Sequence, residues 1–204
     1  MSLDLVERVV QWAGAAALAA FLASVFVGMA RALRRPRGRA TGLAGKALRG
    51  PVYLLIGIPF FAVAALLWRP LPLVLSPALQ ALALALGVLL YFPGLGLALW
   101  GRLVLGEMYN VSMTVGVQLH AGHRLVTAGP YAIVRHPMYA GIIMAAWGGL
   151  LLYRTWTCVF AAFVFLGLFV RAHREEQALA AEFGPEWDAY CRRVPGWIPR
   201  LRKL

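Results

Sequence analysis

Charged residues are scarce in this sequence: only 14% of its 204 positions are charged, and only eight residues are acidic. A soluble domain carries roughly a quarter charged residues, so the composition excludes a soluble globular protein. Cysteine is nearly absent, with Cys158 inside an apolar run and Cys191 in a basic tail. Such isolated cysteines do not predict a disulfide framework or a cysteine-rich metal cluster.

Hydrophobic residues are correspondingly abundant and make up 61% of the chain. Several apolar runs reach the roughly 20 residues that an α-helix needs to cross a hydrocarbon core of about 30 Å. Backbone groups inside a bilayer must be satisfied within their own segment, so these runs are expected to be helices. We predict an all-α, polytopic integral membrane protein.

The net charge of +12 raises the question of a nucleic-acid partner. A nucleic-acid-binding protein would have its basic residues on one domain or face. Here they lie beside the apolar runs, and anionic lipid headgroups and membrane orientation account for that distribution. We therefore predict membrane lipids, and no nucleic acid, among the partners.

Five apolar runs are expected to cross the membrane. The first is followed at once by a basic stretch, which is typical of a stop-transfer anchor and not of a cleaved signal peptide. The third is expected to begin at Ser76 and Pro77, an N-cap followed by proline at the first helical position. The runs cover residues 5–33, 52–68, 77–105, 137–153 and 156–183.

Helix-breaking or polar residues lie inside and between these runs. The sequence Pro-Gly-Leu-Gly at residues 93–96 predicts an interruption of the third helix. Only Arg154 and Thr155 separate the fourth run from the fifth, which predicts a tight helical hairpin. The fifth run is expected to be one long helix whose charged end, residues 171–182, emerges at a membrane surface. A C-terminal cytoplasmic helical cap is expected to follow it.

Lysine and arginine are unevenly distributed over the two sides that five crossings define. Residues 31–49, 102–135 and 171–203 hold seven, three and seven of the 20 basic residues. Because basic segments stay in the cytoplasm, we predict an N-terminus outside, a cytoplasmic C-terminus and a location in a bacterial inner membrane. The basic loop 34–50 is predicted to form either an interfacial helix over residues 43–48 or a solvated loop.

Histidine, tyrosine and helix-breaking residues concentrate between His123 and Gly141. Gly129 and Pro130 predict a loop, and Pro137 predicts the first turn of a helix. The first backbone N–H groups of a helix have no partner within it. This segment is therefore predicted to bind a ligand through its backbone donors.

Arg171 and Glu175 are four residues apart in the fifth run and therefore share one helix face. Ionisable groups near a membrane are unfavourable unless they line a polar cavity or pair with each other. The two residues are thus predicted either to form a site with the polar loop 106–130 or to be an ordinary surface ion pair. His120 and His123 are three apart without a third ligand, so they do not predict a metal site.

Short motifs in the second half of the chain are Gly129-Pro130-Tyr131, Arg135-His136-Pro137-Met138-Tyr139 with Gly141, Glu175-Glu176, Phe183-Gly184-Pro185-Glu186-Trp187, Tyr190, Val194-Pro195 and Pro199. In this order and spacing they resemble the isoprenylcysteine carboxyl methyltransferase family of integral-membrane methyltransferases. The resemblance covers about residues 120–199 and implies the family's fold and its cofactor, S-adenosylmethionine. It implies a methyltransferase region at residues 106–204, with a cofactor loop, two membrane helices and the cap. Residues 1–105 then form an N-terminal region of three membrane helices.

The resemblance implies two walls of a cofactor site. The first wall consists of His123, Arg124, Leu125, Val126 and Tyr131, with Gln118 nearby. The second wall consists of His136, Pro137, Met138 and Tyr139. Catalytic roles are implied for Glu175, which would hold the cofactor, and for Arg171, which would face the methyl acceptor.

The family's chemistry is methyl transfer to a lipid-borne carboxylate, so the resemblance implies an isoprenylcysteine-like acceptor that enters from the bilayer. Relatives of the family methylate phospholipid amines or small thiols, so an amine or a thiol is an alternative acceptor. An amine would need a base, for which Glu176, His173 and His120 are candidates. A sterol reductase with a nicotinamide cofactor and a non-enzymatic transporter or scaffold are further alternatives. The sequence favours neither, because it has no additional phosphate-binding cluster and no internal repeat.

Overall fold

The computed structural model of the protein describes residues 2–33, 50–109 and 124–200. The predicted site residues Gln118 and His123 lie outside these ranges. The described part of the chain is helical and contains no β-strand, in agreement with the predicted all-α class. Its α-helices are α1 (Leu3–Leu33), α2 (Gly50–Leu66), α3 (Pro77–Leu105), α4 (Pro137–Tyr153), α5 (Trp156–Val164), α6 (Gly167–Phe183) and α7 (Pro185–Arg193).

Three helical segments are long and apolar enough to cross a bilayer. They are Leu3–Gly28, Pro77–Leu105 and Trp156–Phe183. Helices α2 and α4 are shorter, with 17 residues each. The apolar segments make this an integral membrane protein, whereas the number of five spans stays a prediction. The basic loop predicted before α2 and His120 lie outside the described residues.

Helix α3 begins and ends as predicted but has no interruption. Ser76 is its N-cap, and its side-chain oxygen accepts a hydrogen bond from the backbone N–H of Leu79 at 3.4 Å. The predicted interruption at residues 93–96 is wrong, because α3 is one continuous helix. Pro93 is exposed, whereas Gly94 is buried against α4. Packing on α4 holds the helix together through the proline, as neighbouring helices do in other membrane proteins.

Helices α3 and α4 approach each other closely along a line of small residues. A methyl group added to Gly94 would lie 2.6 Å from the backbone nitrogen of Ala145, and one added to Gly141 would lie 2.5 Å from the carbonyl oxygen of Gly94. Ala98 of α3 is 0% exposed. Backbones can come this close only where side chains are small or absent, so these residues set the distance between the helices.

The turn between α4 and α5 forms the predicted hairpin. Arg154 adopts the left-handed conformation (φ 47°, ψ 49°), and Thr155 caps α5 by accepting a backbone hydrogen bond at 3.3 Å. The long helical segment predicted after this turn is present as Trp156–Phe183, with a short break at Phe165 and Leu166 that divides it into α5 and α6. Around this point N–H groups bond to carbonyls three residues back, which tightens the turn and interrupts the α-helical pattern.

A buried polar cluster joins α1, α3 and the turn after α4. Glu7 on α1 is only 6% exposed and pairs with Arg154. Gln80 on α3 donates a hydrogen bond to the same carboxylate at 2.6 Å, and Gln11 donates another at 3.1 Å. A buried carboxylate is unfavourable without such partners, so the cluster fixes these helix ends relative to each other.

Helix α7 and the residues after it fold back to the start of α4. Gly184, between α6 and α7, has a φ of 48°, a conformation that favours glycine. Trp187 and Tyr190 of α7 are buried on the end of α6, and Val194 joins the same apolar cluster. The backbone then meets the residues just before α4, so this segment closes over the N-terminus of that helix.

Candidate active site

The helix start at Pro137 is the centre of the candidate site. His136 is the N-cap residue of α4, and Pro137 occupies the first turn, as the sequence predicted. Both side chains are buried. Proline has no N–H group, so its burial at this position leaves no donor unsatisfied. The start of α4 lies beside α6, which brings the two predicted parts of the site together.

Tyr139, on the first turn of α4, contacts both charged residues that were predicted on α6. Its hydroxyl donates a hydrogen bond to Glu175 Oε2 at 2.8 Å and accepts one from Arg171 Nε, also at 2.8 Å. The tyrosine is buried, with 6% of its surface exposed. Arg171 and Glu175 share one helix face, as their spacing predicted. Their link through a buried tyrosine distinguishes them from an ordinary surface ion pair.

The neighbouring carboxylate, Glu176, is held by the two residues that precede α4. Its Oε1 atom accepts a hydrogen bond from Arg135 Nε at 3.0 Å and lies 2.8 Å from His136 Nε2. The His136 ring stacks on Tyr139, with ring centres 5.8 Å apart and planes 8° apart. Glu176 is therefore not an ordinary solvated charge, and its contacts make it a positioning group for Arg135 and His136.

The segment after α7 is hydrogen-bonded to the same motif. The backbone N–H of Arg135 donates to the carbonyl of Pro195 at 2.8 Å, and that of His136 donates to Gly196 at 3.0 Å. The Arg135 side chain also donates to the carbonyl of Val194 at 2.8 Å. These two donors precede the first turn of α4, so the prediction that backbone donors of that turn bind a ligand stays a prediction.

Tyr131 adds a buried phenol to the site. It lies in the 3₁₀ turn Gly129–Ala132, and its carbonyl accepts a hydrogen bond from the Tyr190 hydroxyl at 2.7 Å. Burial raises the pKa of the Tyr131 phenol, and the nearby Glu175 carboxylate raises it further. Burial also raises the pKa of Tyr190, to about 12. Both phenols are therefore neutral at physiological pH.

The other predicted cofactor residues lie at the edges of this cluster. Arg124, Leu125 and Val126 lie before the turn, outside any helix or strand, and Leu125 packs on the apolar cluster of α7. Met138 packs against α3 instead, because a methyl group added to Gly101 would lie 3.2 Å from its Cβ. The structure thus brings Leu125 to α7 and directs Met138 toward α3.

Two residues near the site were missed by the sequence analysis. Arg102 of α3 is 7% exposed, and its guanidinium carbon lies 3.9 Å from the centre of the Tyr109 ring. Burial raises the pKa of Tyr109, while Arg102 and Arg171 lower it, so this phenol lies near both cations. Arg102 could have been recognised from the sequence, because an arginine at the end of an apolar run often has a functional role. Tyr109 gave no such signal.

A protein-family model described as the isoprenylcysteine carboxyl methyltransferase (ICMT) family matches residues 84–181. The matched range includes α4 and, on α6, Arg171, Glu175 and Glu176. The protein-S-isoprenylcysteine O-methyltransferase B of Arabidopsis thaliana is 31% identical over 143 residues, which cover 58% of this chain and 73% of that protein. The chain belongs to the isoprenylcysteine carboxyl methyltransferase family. The membership that its motifs predicted is confirmed.

The chain is also similar to a solved structure and to a further methyltransferase. A solved structure of the eukaryotic intramembrane Ras methyltransferase ICMT is 24% identical, with a TM-score of 0.50 over 74% of this chain and 53% of that chain. The methanethiol S-methyltransferase of Pseudomonas deceptionensis is 28% identical over 74% of this chain and 59% of that protein. The chain spans 40% to 73% of the length of the isoprenylcysteine O-methyltransferases it matches.

Proposed function

We propose that the protein transfers a methyl group from S-adenosylmethionine to the carboxylate of a lipophilic acceptor such as an isoprenylcysteine. The observation that carries this proposal is the buried Tyr139 hydroxyl, which contacts a cation, Arg171, and an anion, Glu175, on a membrane-spanning helix. A cationic methyl donor and an anionic acceptor need one group of each kind, close together.

The residues of the site suit this cofactor. S-adenosylmethionine carries a sulfonium, an ammonium, a carboxylate and an adenine ring, and it supplies an electrophilic methyl group when bound. The Glu175 carboxylate suits either cation, and the buried rings of Tyr131 and Tyr139 suit aromatic and cation contacts. The irregular backbone at residues 125–127 offers polar groups for the edges of a ligand, whereas the Arg124 N–H donates to Met108 Sδ at 3.3 Å.

In this proposal Arg171 binds and orients the head of the acceptor. A guanidinium matches a carboxylate in shape and charge, and the hydrogen bond to Tyr139 fixes the guanidinium before the acceptor binds. A carboxylate is already ionised at neutral pH, so the reaction needs no general base. Most of the rate enhancement then comes from positioning the carboxylate and from excluding water around it.

The apolar part of the acceptor is proposed to stay in the bilayer. Phe169 and Val170 directly precede Arg171 and are 46% and 57% exposed. From Trp156 to Arg171 the helical path measures about 22 Å, which is less than the thickness of the hydrocarbon core. A lipid chain can therefore lie along α6 with its head at Arg171. We further propose that this end of the bundle faces the cytoplasm of a bacterial cell.

Methyl transfer by the reconstituted protein tests the acceptor class. Three acceptors with the same apolar chain, ending in a carboxylate, an amine or a thiol, are incubated with labelled S-adenosylmethionine. We expect the carboxylate to be methylated fastest, and Arg171→Ala to lose this activity while the exposed Arg174→Ala retains it. Preferred methylation of the amine or thiol would replace the proposed acceptor with that one.

Ligand binding tests the cofactor independently of the acceptor. Isothermal titration compares S-adenosylhomocysteine with NADPH on the same detergent-solubilised protein. We expect tight binding of S-adenosylhomocysteine and its loss in Glu175→Gln. Binding of NADPH in its place would favour a reductase and overturn the proposed function.

A further inference from the structure

The segment after α7 returns to the level of the membrane-spanning part of α6. Trp197 packs on Phe169 with ring centres 4.3 Å apart and on His136 with ring centres 5.2 Å apart. Along the helical path Phe169 lies about 20 Å from Trp156, well within a hydrocarbon core of about 30 Å. Trp197 therefore packs on a residue of the apolar segment Trp156–Phe183, although it follows a polar helix.

The residues around Trp197 have the composition of an interfacial segment. Ile198 is 80% exposed, and Arg192, Arg193 and Arg200 are exposed as well. The Arg200 side chain donates a hydrogen bond to the carbonyl of Arg192 at 2.9 Å, which keeps these residues close together. Tryptophan and aliphatic side chains favour the boundary between acyl chains and headgroups, and arginines favour the headgroup level.

The charges of α7 are separated along the helix. Glu186 and Asp188 are in its first turn, whereas Arg192 and Arg193 are in its last turn. This separation suits the helix dipole, and it leaves the end that leads to Trp197 basic. Each arginine near an anionic membrane surface strengthens binding about fivefold, so such a basic end favours anionic lipid over neutral lipid.

We propose that Trp197, Ile198 and the three nearby arginines form a tail anchor that binds the anionic phospholipid headgroups of the surrounding bilayer. The tail anchor is coupled to the site, because the two residues before Trp197 accept backbone hydrogen bonds from Arg135 and His136. Anionic lipid thereby holds the C-terminal segment against the start of α4. The tail anchor does not depend on which acceptor is methylated.

A fluorescent label at position 198 tests the tail anchor in the full chain. Ile198→Cys is labelled in a Cys158→Ala, Cys191→Ala background and reconstituted in nanodiscs whose acyl chains carry a quencher. The discs contain phosphatidylcholine with or without phosphatidylglycerol. We expect several-fold stronger quenching in the anionic discs, and its reversal by high salt, which screens surface charges. Equal quenching in both discs, or quenching that salt does not change, would overturn the proposal.

Removing the arginines tests the role of charge directly. Arg192→Gln, Arg193→Gln and Arg200→Gln together should weaken docking of the tail about a hundredfold in anionic discs and have little effect in neutral ones. Arg8→Gln, at an exposed position on α1, is the matched control and should change nothing. If the triple variant does not fold, the salt titration of the protein with all its arginines still tests the proposal. A label that stays in water in both discs would also overturn the proposal.

Discussion

The Tyr139 hydroxyl and the Glu175 carboxylate lie 2.8 Å apart, and this hydrogen bond connects the start of α4 to α6. Arg171 donates to the same hydroxyl, so one phenol lies between a cation and an anion. A hydrogen bond to a charged group contributes roughly 1.5–3 kcal/mol. The tyrosine thereby fixes the cation and the anion relative to each other before any ligand binds.

Tyr139→Phe is predicted to lower kcat/KM for methyl transfer about ten- to hundredfold, because the ring stays and only the hydroxyl is lost. Steady-state kinetics in nanodiscs with both substrates varied measures this effect. Tyr153→Phe is the control, since that hydroxyl donates to the carbonyl of Gln11 near the other end of α4, and it should retain activity. Unchanged kinetics for Tyr139→Phe would show that the hydroxyl has no role in the reaction.

The two adjacent glutamates should respond differently to the same substitution. Glu176→Gln weakens the contacts with Arg135 and His136 and should lower the free energy of unfolding by about 1–2 kcal/mol, allowing for partial exposure of the carboxylate. Glu175→Gln keeps an acceptor for the Tyr139 hydroxyl, so it should destabilise the protein no more than Glu176→Gln does, and it should weaken binding of S-adenosylhomocysteine more. Thermal denaturation and isothermal titration separate these effects. Equal losses of affinity would contradict the assignment of Glu175 to the cofactor.

Two glycines of α3 provide a matched test of helix packing. Gly94→Ala places a methyl group 2.6 Å from the α4 backbone and should destabilise the protein by about 1–3 kcal/mol. Gly96→Ala meets no atom within 4 Å and should leave stability unchanged or raise it by up to about 1 kcal/mol. Melting temperatures in one detergent compare the two variants. Similar melting temperatures would mean that the α3 and α4 backbones are too far apart at Gly94 for an added methyl group to clash.

Arg171 and Tyr131 are predicted to act on different substrates. Arg171→Ala should lower kcat/KM for the lipid acceptor about tenfold or more and change cofactor affinity little, because it removes a charged partner of the acceptor. Tyr131→Ala should do the reverse, since its buried phenol lies beside Glu175. Kinetics with each substrate varied in turn give both constants. If Arg171→Ala left the acceptor's KM and kcat unaltered, the role given to Arg171 would be wrong.

The orientation in the membrane is open to a direct test. Seventeen of the 20 basic residues lie in the three segments that five crossings would place on one side. The positive-inside rule therefore predicts a cytoplasmic C-terminus. A fluorescent reporter that folds only in the cytoplasm, fused after Leu204, should be bright, and a phosphatase that works only outside should be inactive. The opposite pair of results would exclude this topology.

Local sequence signals predicted those features that depend on neighbouring residues. Ser76 and Pro137 marked helix starts correctly, because caps and first-turn prolines act within one turn. The interruption at residues 93–96 was predicted from the intrinsic preferences of proline and glycine, which the packing of α3 on α4 overrides. The break in the long segment 156–183 was not predicted; there the N–H groups of Leu166, Leu168 and Phe169 bond to carbonyls three residues back.

Contacts between distant residues were beyond local reasoning. Glu176 and Arg135 are 41 residues apart, and only the side-by-side position of α4 and α6 brings them together. The contact of the C-terminal segment with His136 also depends on distant features, namely the change of direction at Gly184 and the packing of α7. The resemblance to a family directed attention to the correct motifs, although it did not reveal that the tail occupies the backbone donors before α4.

The backbone contacts of residues 195 and 196 with Arg135 and His136 have a consequence for the biosynthesis of the protein. Helix α3 is synthesised before α4, so its small-residue face is already in the bilayer when the short α4 leaves the ribosome. The partners of Arg135 and His136 are synthesised about 60 residues later, after α4, α5 and α6. At some 5–20 residues per second this delay lasts several seconds. The site is therefore completed last, after the helices that carry it have been synthesised.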